Sequence, residues 1–191
     1  STTNNRVLVK FDTEIEFDEI RVVNAHTSAA TQYHRGGRSV TFYYTSSATT
    51  PTTTYNTVTG DMKVLMNTTL RPHYADPNFA GSDWQVLSWD VDRRNYHSAN
   101  SVVFDLHGPW DTESGTAETN AVGAIEFYKD DELVANTNNW VAYATSSISG
   151  ATPISVFNQL ERAPSLDYAQ HSDVYDVAWL SQSPETQSRI V

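Results

Sequence analysis

Short runs of apolar and β-branched residues recur along the chain, separated by polar stretches that carry Gly or Pro. They fall at Arg6–Phe11, Glu19–Val23, Ser39–Tyr44, Lys63–Met66, Trp84–Trp89, Ser101–Leu106, Gly123–Tyr128 and Trp140–Ala144. Successive side chains of a strand point to opposite sides, so Val7, Val9 and Phe11 share one face of the first run. Many short strands punctuated by turn signals predict an all-β fold, an antiparallel sandwich or barrel. Helical spacing is scarce, and the best candidate is a turn or two near Val156–Leu160.

Composition agrees with this pattern. Thr, Ser, Asn and Tyr are abundant, which suits strands and polar loops better than α/β crossovers. The 191 residues make one large domain or a domain with an extension, and a chain of this size buries about 70% of its unfolded surface without a staple. There is no cysteine, which excludes a disulfide framework and thiolate chemistry but leaves the compartment open. The formal charge of −11 repels phosphate backbones, and no Lys/Arg run interleaved with aromatics argues otherwise, so nucleic acid is excluded as a partner. Only Lys10, Lys63 and Lys129 among the 12 basic residues are lysines, a bias that suits a salty medium. No apolar run is long enough to cross a membrane and no signal peptide is visible. The chain opens at Ser1 without a methionine, so an upstream segment is expected to have been removed.

Catalytic patterns are missing. The six histidines show neither H-x-H nor HExxH spacing, and a four-ligand zinc site is not visible. Carboxylates cluster at Asp90/Asp92, Asp111/Glu113, Asp130/Asp131/Glu132 and Asp173/Asp176, but nothing singles out a glycosidase pair. No G-x-S-x-G, P-loop or dinucleotide fingerprint occurs. The expectation is a protein that is not an enzyme.

One segment is compositionally distinct. Ten of the fifteen residues between Thr45 and Thr59 are Ser or Thr, with Pro51 in the middle. A long solvated hairpin loop explains this, and so does a mucin-like patch carrying O-glycans on Thr49, Thr50, Thr52, Thr53 and Thr54. Asn67-Thr68-Thr69 is an N-glycosylation sequon.

Two blocks resemble the discoidin family, also called the coagulation factor 5/8 type C family. The first comprises Val7-Leu8-Val9-Lys10-Phe11, then Ile15 to Ala25, then Ser39-Val40-Thr41-Phe42-Tyr43-Tyr44-Thr45-Ser46, and looks like the family's early strands. The second, Val122-Gly123-Ala124-Ile125-Glu126-Phe127-Tyr128, is similar to its closing strand and is the more specific. The resemblance implies a jelly-roll β-sandwich whose main body spans residues 1–135. In that family the closing strand ends the domain, whereas here residues 136–191 follow. Ala144-Thr145-Ser146-Ser147, Val156-Phe157-Asn158 and Trp179-Leu180-Ser181 look like the family's opening segment, so the order is rotated.

The chain ends bear on this rotation. Thr186-Gln187-Ser188-Arg189-Ile190-Val191 matches Thr3-Asn4-Asn5-Arg6-Val7-Leu8 at every position by identity or conservative exchange. Residues 136–191 therefore either cover their own domain as a circular permutant or complete the next unit, by strand exchange or as the start of a further repeat. The repeated strand favours the array, since a permuted monomer does not need it. The expected polymer contacts are Arg6, Val7, Leu8, Trp179, Arg189, Ile190 and Val191.

The resemblance also implies ligands. Family members often hold a structural calcium near the closing strand; here the usual acidic position is Ala124, leaving Glu126 and Asn158 as candidate ligands. No cofactor is otherwise required. Family members also bind carbohydrate through loops at one end of the sandwich, where Tyr33, His34, Arg35 and Trp110 supply a ring and hydrogen-bonding groups. The functional expectation is an extracellular structural repeat of a filament, sheath or adhesin, assembled head to tail with itself. The second is a carbohydrate- or surface-binding module of a larger secreted or virion protein.

Overall fold

The computed structural model describes residues 5–24, 37–48, 61–71, 85–88, 95–109, 121–145, 153–157 and 179–180. Their strands are β1 (Asn5–Phe17), β2 (Glu19–Asn24), β3 (Gly37–Thr45), β4 (Lys63–Thr69), β5 (Gln85–Ser88), β6 (His97–Pro109), β7 (Ala121–Lys129), β8 (Glu132–Leu133), β9 (Val141–Ala144) and β10 (Trp179–Leu180). One sheet runs β4-β3-β6-β1-β9 and the other β10-β7-β2-β5, with β8 also paired to β7. Every pairing is antiparallel, and the two sheets pack face to face as an all-β sandwich. Each of the eight apolar runs overlaps one of these strands, with Trp140 just ahead of β9 and Trp84 and Trp89 outside the described residues. The only helical element among the described residues is a 3-10 turn at Pro153–Phe157, slightly earlier in the chain than the periodicity placed it. Pro153 explains the shift, because its fixed φ suits a first helical position.

β1 shows how the sequence divides the chain between sheets. Its ladder to β6 breaks between Lys10 and Ile15, where Asp12, Thr13 and Glu14 are exposed. Pairing resumes through Phe17, and at Asp18 the chain crosses to the second sheet, the Asp18 amide donating to the Tyr128 carbonyl at 2.9 Å. β2 alternates thereafter, with Ile20 and Val22 entering the core opposite Phe127 and Ile125.

The core is aromatic. The Phe127 ring meets Phe11 at 5.4 Å and Phe17 at 5.1 Å, both edge-on, and stacks on Phe157 at 6.2 Å. Trp140 stands edge-on to Phe11 at 4.7 Å. Burying each such side chain contributes about 2–3 kcal/mol before entropy is counted.

Trp140, Val156 and Phe157 lie beyond residue 135, yet they belong to the same core cluster as Val7, Phe42 and Phe104. β9 pairs with β1, and Asn136 Nδ2 donates to the Phe157 carbonyl at 3.2 Å. Among the described residues, Trp140, β9 and the 3-10 turn thus pack on the same core as the strands that precede residue 136.

The registers define two ends. Asn5, Asn24, Gly37, Arg71, Gln85, Pro109, Ala121 and Thr145 gather at one, where the strand connections 25–36, 72–84 and 110–120 are attached. Asp18, Thr45, Lys63, His97 and Lys129 lie at the other, which carries the connection 49–60.

Candidate functional site

Loops carry function when a rigid scaffold positions them, so the end with three long connections is the first place to look. Its base is tied together by two amide side chains. Asn24, 4% exposed, donates through Nδ2 to the carbonyls of Gly37 at 2.8 Å and Arg71 at 3.0 Å. Gln85 Nε2 donates to the Thr69 carbonyl at 2.9 Å, and its Oε1 accepts from the Arg71 amide at 2.7 Å. A Cβ at Gly37 would stand 2.8 Å from a Leu106 methyl, which would have to shift to admit it. Gly37 is also the register partner of Pro109. The residues adjoining the two segments that hold Tyr33, His34, Arg35 and Trp110 are therefore neighbours. Those four side chains lie outside the described residues.

The second candidate lies at the same end. Arg6, Val7 and Leu8 are not a surface patch; they form the start of β1, enclosed between β6 and β9. Val7 and Leu8 are fully buried. Arg6 Nε meets Asp105 Oδ2 at 2.6 Å, with both side chains nearly enclosed. The Arg6 amide donates to Thr145 Oγ1 at 3.1 Å, and the Thr145 amide donates to the Arg6 carbonyl at 3.0 Å. The slot thus selects a cation, then two apolar residues. A polymer contact made by residues 6–8 requires exchange of the strand itself, because their faces are already covered. Trp179 pairs through its backbone with Val122, and Arg189, Ile190 and Val191 lie outside the described residues.

Glu126, one of the two residues expected to ligate calcium, is engaged by its neighbours. This carboxylate is 3% exposed and Oε2 accepts from the Tyr128 hydroxyl at 2.8 Å. Its cross-strand partner is Arg21, whose guanidinium lies 3.7 Å over the Tyr128 ring and whose Nε donates to Glu19. A cation already stands on that face, and among the described residues no three His, Asp or Glu side chains converge to hold a metal. Asn158 lies outside the described residues.

Of the glycosylation candidates, Asn67 is exposed on β4, the edge strand of its sheet, while Thr49, Thr50, Thr52, Thr53 and Thr54 lie outside the described residues.

At the opposite end, the His97 ring meets Tyr44 at 4.7 Å and Phe17 at 6.4 Å. Burial, with Lys63 adding repulsion, holds its pKa below the ordinary value of 6.5. Asp12 Oδ2 accepts from Thr137 Oγ1 at 2.8 Å, which holds that carboxyl below its ordinary range. Asp18 is 2% exposed, and among the described residues neither of its carboxylate oxygens meets a hydrogen-bond donor.

Sequence reasoning did not find Asn24, Gln85, Asp105 or Asp18. For Asn24 and Gln85 the available signal was an amide at the very end of a strand facing a long loop. Asp105 gave a sharper one, an acid inside the apolar run Val102–Leu106. No protein-family model matches the chain, and neither a curated protein nor a solved structure shows significant similarity to it.

Proposed function

We propose that the chain is a structural module on a discoidin-like sandwich, assembling head to tail with further copies of itself into an extracellular filament, sheath or adhesin stalk. One observation carries this reading. The strand segment Arg6-Val7-Leu8 fills an enclosed slot of specific chemistry, and the same chemistry recurs at Arg189-Ile190-Val191. A sequence that contains the slot and two versions of its occupant has the parts for one copy to engage the next. Sedimentation velocity of the purified chain tests it. Species heavier than 21.3 kDa that grow with concentration support the reading; a folded monomer at millimolar concentration sinks it.

A second reading is favoured by a different observation. Asn24 and the Gly37–Pro109 pair bring together the residues that flank segments 25–36 and 110–120, which supports a carbohydrate- or surface-binding module. Trp110→Ala or Tyr33→Ala then abolishes glycan binding without unfolding the domain. A glycan array on which the intact protein retains nothing counts against it.

A further inference from the structure

We infer that Ser188–Val191 of one copy is a donor strand for the slot between β6 and β9 of another, replacing Asn5–Leu8 and placing Arg189 on Asp105. The inference rests on the head-to-tail reading and assigns its contact.

The slot is defined position by position. Asn5, Arg6, Val7 and Leu8 lie opposite Leu106, Asp105, Phe104 and Val103 of β6. On the other side Val7 and Leu8 lie opposite Ala144 and Tyr143 of β9. Position 6 must supply a guanidinium, because the Asp105 carboxylate is buried and Arg6 neutralises it at 2.6 Å. Position 7 faces Phe104 and the core, so it must be apolar, and position 8 is apolar and fully buried on the other face. The tail meets these demands in order: Arg189, Ile190, Val191.

The triplet is uncommon in this chain. Of its arginines, Arg6, Arg21 and Arg189 alone are followed by two aliphatic residues. Arg21 is built into β2, where it lies opposite Glu126 and Val86. Arg189 is the one remaining candidate for a second occupant. Exchange re-forms the same ladder, the same ion pair and the same apolar contacts, so the two occupants differ little in contact energy and concentration decides between them.

The absence of cysteine makes a clean test possible. Ala144→Cys and Ile190→Cys chains are mixed and oxidised, because Ile190 in the place of Val7 comes to lie opposite Ala144. A Val7→Cys/Ala144→Cys chain, cross-linked within itself, serves as the register control. The expected product is a disulfide-linked pair of unlike chains on non-reducing electrophoresis. Adding Arg189→Glu to the Ile190→Cys chain should reduce it at least tenfold while leaving the melting temperature unchanged, since Arg6 still neutralises Asp105 within each copy. Copies that assemble without this cross-link overturn the donor-strand contact and leave the head-to-tail reading standing. Chains that neither assemble nor cross-link overturn both.

Discussion

Trp140→Ala asks whether the residues after 135 stabilise the chain that carries them. Trp140 is 5% exposed, edge-on to Phe11 at 4.7 Å and 6.1 Å from Phe127, and it leads directly into β9. Truncating a buried tryptophan removes its transfer energy and leaves a cavity, together costing about 3–5 kcal/mol. For a domain of this size each kcal/mol lowers Tm by about 2–4 °C, so a fall of about 10 °C is expected. Trp140→Phe provides the control. The indole Nε1 is buried without a hydrogen-bond acceptor among the described residues, and phenylalanine removes that donor, a relief of about 1–3 kcal/mol that offsets the smaller ring. Trp140→Phe should therefore remain within about 1 kcal/mol of the parent. Urea unfolding followed by far-ultraviolet circular dichroism gives both values from the midpoint, provided the m-value is unchanged. If Trp140→Ala costs less than about 1 kcal/mol at low protein concentration, Trp140 does not belong to its own chain's core.

Three further outcomes follow from the same geometry. Arg6→Met strands the buried Asp105 carboxylate and should cost about 3–5 kcal/mol by urea midpoint, whereas Arg6→Met/Asp105→Leu should recover most of that loss. Equal losses in the two variants would refute the ion pair's role. Asp18→Asn replaces a buried carboxylate that meets no donor among the described residues with a neutral group, and should raise stability by about 1 kcal/mol in the same assay; a loss means that the charge has a stabilising role. The folded state holds the His97 pKa below 6.5, so it prefers the neutral ring. The resulting stability is complete above pH 6.5 and declines as pH falls through the depressed value. His97→Phe keeps the contacts to Phe17 and Tyr44 and should flatten the melting temperature between pH 7.5 and 5. The Asp12 contribution fades only below its ordinary 3.8 and leaves that window clear. An unchanged slope removes His97 as the cause.

The central strands were legible because their apolar runs bury at least one face, whereas the edge strands β4 and β9 are only partly buried. Val7, Val9 and Phe11 alternate into the core as period two requires, and Ile125 with Phe127 does the same from the other sheet. β1 runs through Phe17 although the apolar run ends at Phe11, because a register break absorbs three polar residues before pairing resumes. β8 and β10 are two residues each, too short for any period to register. Ion pairing is harder to read. Arg6 and Asp105 are 99 residues apart, and only the register of β1 on β6 brings them into line. Glu126 shows the same limit, since the Arg21 beside it arrives through cross-strand pairing that a single strand does not reveal.

Strand polarity constrains how copies can join. β10 pairs Trp179 with Val122 and Leu180 with Ala121, so it runs toward the loop-bearing end. The slot holding Arg6, with Thr145 beside it, opens at that same end. Donor and acceptor therefore share an end. The seven residues from Ser181 to Gln187 span at most about 23 Å when fully extended, so the exchanging copies must meet there. Two closures obey this limit. Reciprocal exchange buries both tails in a two-fold pair and stops, whereas one-way donation leaves a free tail and a free slot and continues. Concentration separates them: the reciprocal pair saturates at twice the monomer mass, and the one-way chain grows without a plateau. A plateau at two copies would keep the donor strand and replace the filament with a swapped dimer. Continued growth would leave head-to-tail addition as the arrangement consistent with both the polarity and the mass.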